Sequence, residues 1–223
     1  VASDVVFSGG STNGRFSKVG TGVLTLQGVH SLNAEVNVFQ GDVVLDGATL
    51  ATDTGILRPN CNQPFGLARV VMTNGATWTG TASIRAGFNQ DTTATNILDL
   101  AGTMSTTGDT ILGAECALGE VNLLNGGVLQ TTGVKSGFST FNGESRLNFN
   151  GGTLRAATNS LGFVTGLTNA FVLNGGAIID SAGFNITIAQ PLLLGGTGGL
   201  TKIGTGTLTL DGVNTYTNTT LVS

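Results

Sequence analysis

The chain has 223 residues, of which 10% are charged and 40% are hydrophobic, and its formal net charge is −4. Soluble domains usually carry about 25% charged residues, so Thr, Ser and Asn must cover much of this surface. The basic residues are scattered singly, which gives no support for a nucleic-acid partner. No apolar run reaches the length of about 18 residues that a membrane span requires, so we expect no membrane insertion of this segment.

The first predicted element is a short strand over Asp4–Ser8, and a glycine-rich module follows it at Lys18–His30. The same module returns at Lys202–Asn214 with most positions unchanged. We interpret 1–223 as a single β-helix domain from a larger repeat protein. In this interpretation the matching modules, 16–39 and 200–223, flank a series of coils over 40–199.

Between the modules, an alternating strand that ends in a glycine turn recurs along the chain, as in the Leu-Asn-Phe-Asn-Gly-Gly-Thr-Leu of Leu147–Leu154. Alternation of apolar and polar residues predicts strands rather than helices. The first glycines of these turns are 24–28 residues apart and stand at Gly47, Gly75, Gly102, Gly126, Gly151 and Gly175.

A unit of this length cannot bury an apolar face alone and becomes stable by stacking on copies of itself. Three short strands and three turns fit into one unit, which is the content of one coil of a β-helix. The sequence therefore predicts an all-β parallel β-helix, a solenoid whose coils of about 24–28 residues stack roughly 4.8 Å apart.

A polar residue precedes five of the six turn glycines. These side chains either hold a ligand or form a structural ladder, in which each side chain forms hydrogen bonds with those of neighbouring coils. Asn and Asp also tolerate the left-handed backbone conformation that a turn can require. The fixed phase in the repeat favours the ladder, with an interruption at Ala101. The ladder residues are Asp46, Asn74, Asn125, Asn150 and Asn174.

Two cysteines, Cys61 and Cys116, follow the turn glycines Gly47 and Gly102 at the same distance along the chain. Two residues at the same position in their coils, in coils that are two steps apart, would be separated by about 9–10 Å. A disulfide needs Cα atoms within about 7 Å. In an exported protein, two cysteines would nevertheless favour a bridge. The two arguments conflict, so the sequence does not decide between a disulfide and two free cysteines. A disulfide would require the segment 59–64 to bulge from the rod towards Cys116. With no Cys-x-x-Cys pair and one histidine, we expect no metal site and no cofactor.

His30 has no accompanying motif that would support a Ser-His-Asp site, and its place after a turn predicts exposure. Phe149 and Phe171 alternate with polar neighbours, which predicts that both stack in the core.

A polysaccharide-binding or polysaccharide-degrading β-helix is the alternative from another functional class. A glycosidase needs two carboxylates that face one cleft, and a lyase also needs acidic calcium ligands and a base. The acidic residues of the middle coils are sparse, which favours a protein without enzymatic activity: Asp91, Asp99, Asp109, Glu115, Glu120 and Asp180. The discriminating observation is whether two carboxylates and a basic residue meet in one groove.

The C-terminal module reads Gly-Leu-Thr-Lys-Ile-Gly-Thr-Gly-Thr-Leu-Thr-Leu-Asp-Gly-Val-Asn-Thr-Tyr-Thr-Asn-Thr-Thr over Gly199–Thr220. It resembles the autotransporter-associated β-strand repeat, which is found in passenger domains of bacterial autotransporters and related surface proteins. The N-terminal module departs from this pattern after Gly28, where His-Ser-Leu replaces Asn-Thr-Tyr. The resemblance implies a right-handed β-helix, export to the bacterial cell surface or the extracellular medium, and no catalytic residues.

These observations predict a mechanical role, as a structural or adhesive stalk in a secreted or cell-surface protein. Loops between coils would contact host or surface glycans. Exposed strand edges at the ends of the rod would allow end-to-end self-association into a filament.

Overall fold

Parallel strands make up the regular structure of the chain. The computed structural model describes residues 5–7, 11–12, 14–52, 56–57, 66–137 and 143–223, with 26 strands and no helix among them. Within these residues there is accordingly no helix with the length and apolar character of a membrane span.

The strands form three faces that we name face 1, face 2 and face 3. Face 1 contains β1 (Val5–Phe7), β4 (Val23–Leu26), β7 (Gly41–Asp46), β10 (Leu67–Thr73), the C-terminal parts of β12 (Ile84–Leu100) and β14 (Thr110–Leu124), β17 (Glu144–Asn150), β20 (Asn169–Val172) and β23 (Leu192–Leu194).

Face 2 is a sheet of ten strands. It contains β2 (Ser11–Thr12), β5 (Val29–Leu32), β8 (Thr49–Thr52), β11 (Thr77–Gly80), β13 (Thr103–Thr106), β15 (Val128–Thr131), β18 (Thr153–Ala156), β21 (Ala177–Asp180), β24 (Leu200–Ile203) and β26 (Thr220–Val222).

Face 3 combines a separate pair of strands with a longer run. The pair is β3 (Phe16–Lys18) and β6 (Val36–Val38). The run contains β9 (Ile56–Leu57), the N-terminal parts of β12 and β14, β16 (Val134–Ser136), β19 (Ser160–Thr165), β22 (Ile186–Ile188) and β25 (Leu208–Leu210).

Strands of neighbouring coils pair in parallel, which confirms the predicted parallel β-helix. On face 2, Thr77 pairs with Thr49 on one side and with Thr103 on the other, and both steps lie within the predicted range of coil lengths. The predicted coil length fails at the ends of the rod. There, Val29 pairs with Thr49 and Thr201 pairs with Leu221, so both end coils are shorter than the predicted range.

Alternate residues of each strand point into an apolar lumen that all coils share. On β10, Ala68, Val70 and Met72 are buried while the residues between them are partly exposed. Phe149 is buried in this lumen as predicted. Phe171 is not, because its neighbours Ala170 and Val172 are the inward-facing residues of β20.

The Asn-Gly-Gly turns need their two glycines for different reasons. Gly126 has a φ of +79°, a conformation that residues with a Cβ rarely adopt. A Cβ on Gly127 would instead overlap the carbonyl oxygen of Leu100 in the adjacent coil. At this turn the first glycine adopts the positive φ and the second allows the two coils to approach closely, whereas at Gly175–Gly176 the positive φ belongs to the second glycine.

Candidate functional site

The two glycine-rich modules each bury a lysine. Lys18 and Lys202 are both 8% exposed. Lys202 Nζ donates to the carbonyl oxygens of Ile203 (3.2 Å) and Gly204 (2.6 Å). It also donates to the hydroxyl of Ser181 in the preceding coil, at 2.8 Å. The ammonium thus binds carbonyls of its own Gly-Thr-Gly turn and joins that turn to the neighbouring coil.

Lys18 makes matching contacts in the N-terminal module. Its Nζ donates to the carbonyl oxygens of Val19 (3.1 Å) and Gly20 (2.5 Å), and to that of Gln40 in the next coil (3.0 Å). A buried ammonium costs free energy unless it is hydrogen-bonded, and these oxygens supply its partners, so both lysines have a structural role. The sequence pattern did not predict this role, although the lysine opens both copies of the module.

The two modules occupy different corners of the solenoid. The module at Lys18 connects β3 on face 3 to β4 on face 1, whereas the module at Lys202 connects β24 on face 2 to β25 on face 3. Because the same lysine contacts recur at unlike corners, the module is a self-contained turn that does not depend on which faces it joins.

The predicted ladder residues lie at the corner between face 1 and face 2. Asn74 Nδ2 donates to Asp46 Oδ1 at 2.5 Å, and Gln27 Nε2 donates to Asp46 Oδ2 at 2.7 Å. These hydrogen bonds, that from Asn74 first, hold the pKa of the Asp46 carboxyl below its ordinary value.

Farther along this corner, the side-chain oxygens bind backbone amides of the next coil. Asn150 Oδ1 accepts from the Gly175 amide (2.9 Å), and Asn174 Oδ1 accepts from the Thr197 amide (3.0 Å). Asn125 lies beside the Gly151 turn of the next coil. A continuous ladder through all five predicted residues remains a prediction.

A row of linked side chains, not anticipated from the sequence, crosses the outer side of face 1. Asn122 Nδ2 donates to Asp99 Oδ1, and Asn148 Nδ2 donates to Asn122 Oδ1, both at 2.7 Å. The strand register pairs the same residues. This row therefore connects three successive strands of face 1.

Two arginines on face 1 lie between carboxylates of different coils. Arg69 forms an ion pair with Asp42 at 2.5 Å and lies 3.9 Å from Asp99. The hydrogen bond to Asp42 raises the pKa of the Arg69 guanidinium, which keeps it charged.

Arg146 forms ion pairs with Glu120 (3.0 Å) and Glu144 (2.5 Å). Carboxylates and a basic residue thus meet on face 1, although each carboxylate is already in contact with an arginine. We name this set the charged strip, and it consists of Asp42, Arg69, Asp99, Glu120, Arg146 and Glu144.

The charged strip can donate to and accept from polar groups of a ligand, because both arginines remain about one-third exposed. Among the residues described, no group of three or more His, Cys, Asp or Glu side chains could hold a metal ion.

Other acidic residues lie apart from the charged strip. Asp109 forms an ion pair with Lys135, and Asp180 forms one with Arg155, both at 2.7 Å. The side chains of Asp91 and Glu115 are outside the part of the chain that is described.

Cys61 also lies outside the described residues, so its disulfide with Cys116 stays a prediction; Cys116 itself is buried in β14. The predicted exposure of His30 is wrong, since it is 2% exposed. His30 pairs with the buried Leu50 on face 2 and shares its inward direction. Its Nε2 lies 3.0 Å from the Gln27 carbonyl oxygen.

The whole chain is similar to the protein named Adhesin BmaC autotransporter from Brucella suis biovar 1 (strain 1330), with 31% identity over 242 aligned residues. The chain spans 7% of the length of that protein. No protein-family model matches the chain, so its resemblance to the autotransporter-associated β-strand repeat remains a prediction. No solved structure matches it. The similarity and the parallel β-solenoid together fit a β-helix of the kind found in autotransporter passengers.

Proposed function

We propose that the chain is a structural segment of a bacterial cell-surface passenger, an adhesin-like stalk that holds binding loops or further segments away from the cell. The observation that carries this proposal is the unbroken face 2, in which ten parallel strands follow one another. The similarity to an autotransporter adhesin supports a location outside the cell.

The mechanism is architectural. Ten strands at the usual spacing give a rod of roughly 40 Å. Backbone hydrogen bonds run along the rod, and each lumen side chain packs against the coils before and after it. A rigid spacer results, because separating two neighbouring coils between β7 and β25 would break three sets of strand pairs and expose apolar surface.

Surface display tests the location. The chain is fused to a translocator barrel in a laboratory bacterium and probed on intact cells with antibody and protease. We expect antibody labelling and a protease-resistant rod. A chain that stays inside the cell, or is degraded there while a known passenger is displayed, would contradict the proposal.

Adhesion is tested separately with coated beads. Beads that carry the purified chain are offered to epithelial cells and to glycan-coated surfaces, with albumin-coated beads as the control. Binding above the control supports an adhesive segment, whereas equal binding leaves a stalk that presents other segments.

The charged strip favours a second candidate, a polysaccharide-binding or polysaccharide-degrading face. The specific observation is that Arg69 and Arg146 each bridge carboxylates on one exposed side of the rod. A glycan array, and an activity screen on uronate polymers with and without calcium, test it. Arg69→Met and Arg146→Met should abolish glycan binding, while Lys135→Met on face 3 should not. Binding that all three variants retain would reject this face.

A further inference from the structure

We propose that Asn125 is a site of spontaneous covalent modification, at which the side-chain amide is lost and aspartate or isoaspartate forms, while contacts between coils protect the other described asparagines that precede a glycine. The inference concerns the corner between face 1 and face 2 and is independent of cell-surface location or adhesion. An asparagine followed by glycine favours this reaction, because glycine has no Cβ to hinder the approach of its amide nitrogen.

The reaction requires only water. The backbone nitrogen of the glycine attacks the side-chain Cγ of the asparagine, and a C–N bond forms. The side-chain nitrogen leaves as ammonia, taking the proton of the backbone amide, and a succinimide ring remains. Water then opens either C–N bond of the ring, which gives aspartate or isoaspartate. The asparagine side chain and the amide of the following glycine must therefore both be free to meet.

Asn-Gly occurs six times in the sequence, and the structure describes both residues of four of these pairs. Their local sequences are nearly equivalent, because three read Asn-Gly-Gly and the fourth reads Asn-Gly-Ala. A large difference in rate among the four must therefore come from the fold. The described pairs are Asn74–Gly75, Asn125–Gly126, Asn150–Gly151 and Asn174–Gly175.

At Asn125 neither reacting group is held in place. Among the described residues, its side chain takes part in no hydrogen bond, and the Gly126 amide donates none. The hydrogen bond that closes this turn runs from the Gly127 amide to the Leu124 carbonyl oxygen at 2.8 Å and involves neither group. Both residues are exposed, and a Cβ built on Gly126 would have no atom within 4 Å. The turn therefore has room for the two groups to meet.

The preceding coil explains why this turn has room. Leu100 pairs with Leu123 and Thr103 pairs with Val128, so two residues at the corner of one coil lie opposite four residues of the next. The two additional residues of the longer corner have no counterpart in the preceding coil. The Asn-Gly turn thus projects from the rod at this position.

At Asn150 and Asn174, hydrogen bonds between coils hold the reacting groups apart. Asn150 Oδ1 accepts from the Gly175 amide at 2.9 Å, and this amide nitrogen is the one that would attack Asn174. The Gly151 amide, which would attack Asn150, donates to the Gly176 carbonyl oxygen at 2.9 Å. Cyclisation at either asparagine must first break these bonds, so both sites should react slowly.

Asn74 is held through its side chain. Its Nδ2 donates to Asp46 Oδ1 at 2.5 Å, whereas the Gly75 amide donates no hydrogen bond among the described residues. Asp46→Ala removes the acceptor and should speed the loss of the Asn74 amide by about threefold or more, because a hydrogen bond to a charged group no longer restrains it. The rate at Asn125, which is several coils away, should not change.

Peptide mapping of the intact chain tests the proposal. The purified protein is kept in a mildly alkaline buffer and digested at acid pH, where cyclisation is slow, and each Asn-Gly peptide is followed by mass spectrometry. We expect Asn125 to react faster than Asn150 and Asn174 by about tenfold or more, because those sites must first break hydrogen bonds. Enzymatic methylation that is selective for isoaspartate should label the Asn125 peptide first.

Two controls separate the fold from the local sequence. Synthetic peptides of the four turns should react at similar rates, since they lack the contacts between coils. Asn125→Gln should remove the signal at this position and leave the other three sites unchanged, because glutamine cyclises through a larger and less favourable ring. The comparison within the unaltered chain requires no variant, so it stands even if D46A or N125Q does not fold.

Three outcomes would overturn the proposal. The first is an Asn125 that keeps its amide as long as Asn150 and Asn174 do. The second is the same ranking of rates in the synthetic peptides as in the intact chain, which would assign the difference to local sequence. The third is a folded D46A protein in which Asn74 reacts no faster, which would show that contacts between coils do not protect these sites.

Discussion

Single residues in this rod are constrained by the next coil as much as by their own strand. Neighbouring glycines in one turn illustrate this, as do a buried lysine and a partly exposed aspartate whose partners come from adjacent coils. For each of these residues, a substitution can distinguish the effect of its own backbone or side chain from the effect of its contact with a neighbouring coil.

Gly126 and Gly127 separate backbone strain from steric contact. Gly126→Ala forces a residue with a Cβ into a φ of +79°, at a cost of about 1–2 kcal/mol. Gly127→Ala pushes a Cβ against the Leu100 carbonyl oxygen, so the coils must separate, and we expect a loss of about 3 kcal/mol. Urea unfolding measures both. Gly126→Asn is the control and should lose less than G126A, because Asn tolerates this conformation. Equal losses for the two alanines would contradict the assignment.

Lys202 should stabilise the fold through its three acceptors. Lys202→Met keeps the apolar stem but leaves the Ile203 and Gly204 carbonyls and the Ser181 hydroxyl without the ammonium. We expect the unfolding free energy to fall by about 1.5–3 kcal/mol, the range for losing hydrogen bonds to a charged group. Lys135→Met removes a 41% exposed lysine from an ion pair and should cost about 0–1 kcal/mol. If K202M is no less stable than K135M, the buried contacts do not matter.

Asp46 should report its contact with the next coil through its pKa. Hydrogen bonds from Asn74 and Gln27 lower the pKa below its ordinary value of 3.8. The folded state therefore binds this proton less readily than the unfolded chain does. Its stabilising contribution is present above the ordinary pKa and is lost as pH falls through the lower, folded value. Asn74→Ala should raise the pKa of Asp46 in an NMR titration, and Gln27→Ala should raise it less. An unchanged pKa in N74A would refute the contact.

At the scale of elements, the sequence predicted what depends on local patterns. Alternation predicted strands, and the recurring glycines located the corner between face 1 and face 2, because both signals lie within a few residues. The side to which a strand turns its residues was less predictable, since a shift of one residue exchanges the two sides. Phe171 was misplaced for this reason, whereas His30 was misplaced because it was assigned to the region after a turn and lies instead in β5. The junction within β12 was also missed, because one strand of 17 residues continues from face 3 to face 1 without a break.

The charged strip could not be recognised from the acidic residues alone. Its partners lie in different coils, as with Arg69 and Asp42, which are 27 residues apart, or Arg146 and Glu120, which are 26 apart. These separations are close to the length of a coil. The ion pairs could therefore have been predicted from oppositely charged residues that stand about one coil length apart in the sequence. The burial of the two module lysines had no such signal, because a lysine is rarely buried even at an inward-facing position of a strand, as Lys202 is in β24.

The charged strip should contribute modestly to the pairing of β14 with β17. Arg146→Met leaves Glu120 without its ion-pair partner, and Glu120 is the less exposed of the two carboxylates. Because Arg146 is partly exposed, we expect a loss of about 1 kcal/mol that shrinks at high salt. A double-mutant cycle with Glu120→Gln measures the coupling. A coupling that is zero at low salt would show that the pair does not hold the coils together.

At the scale of the whole molecule, each coil contacts only the coils before and after it. A destabilising substitution in one coil should therefore affect only the nearest coils. Leu123 is fully buried in β14, and Leu123→Ala should cost about 2–5 kcal/mol through lost packing and the cavity that remains. Hydrogen exchange should show faster exchange in the paired parts of β12 and β17, while β22 and β25 keep their protection. Asn122→Ala, on the outer side of the same strand, should cause a smaller change confined to its two neighbours. Equal acceleration in every coil would instead mean that the rod opens as one cooperative unit, and then a stalk of this kind would fail along its whole length at once rather than coil by coil.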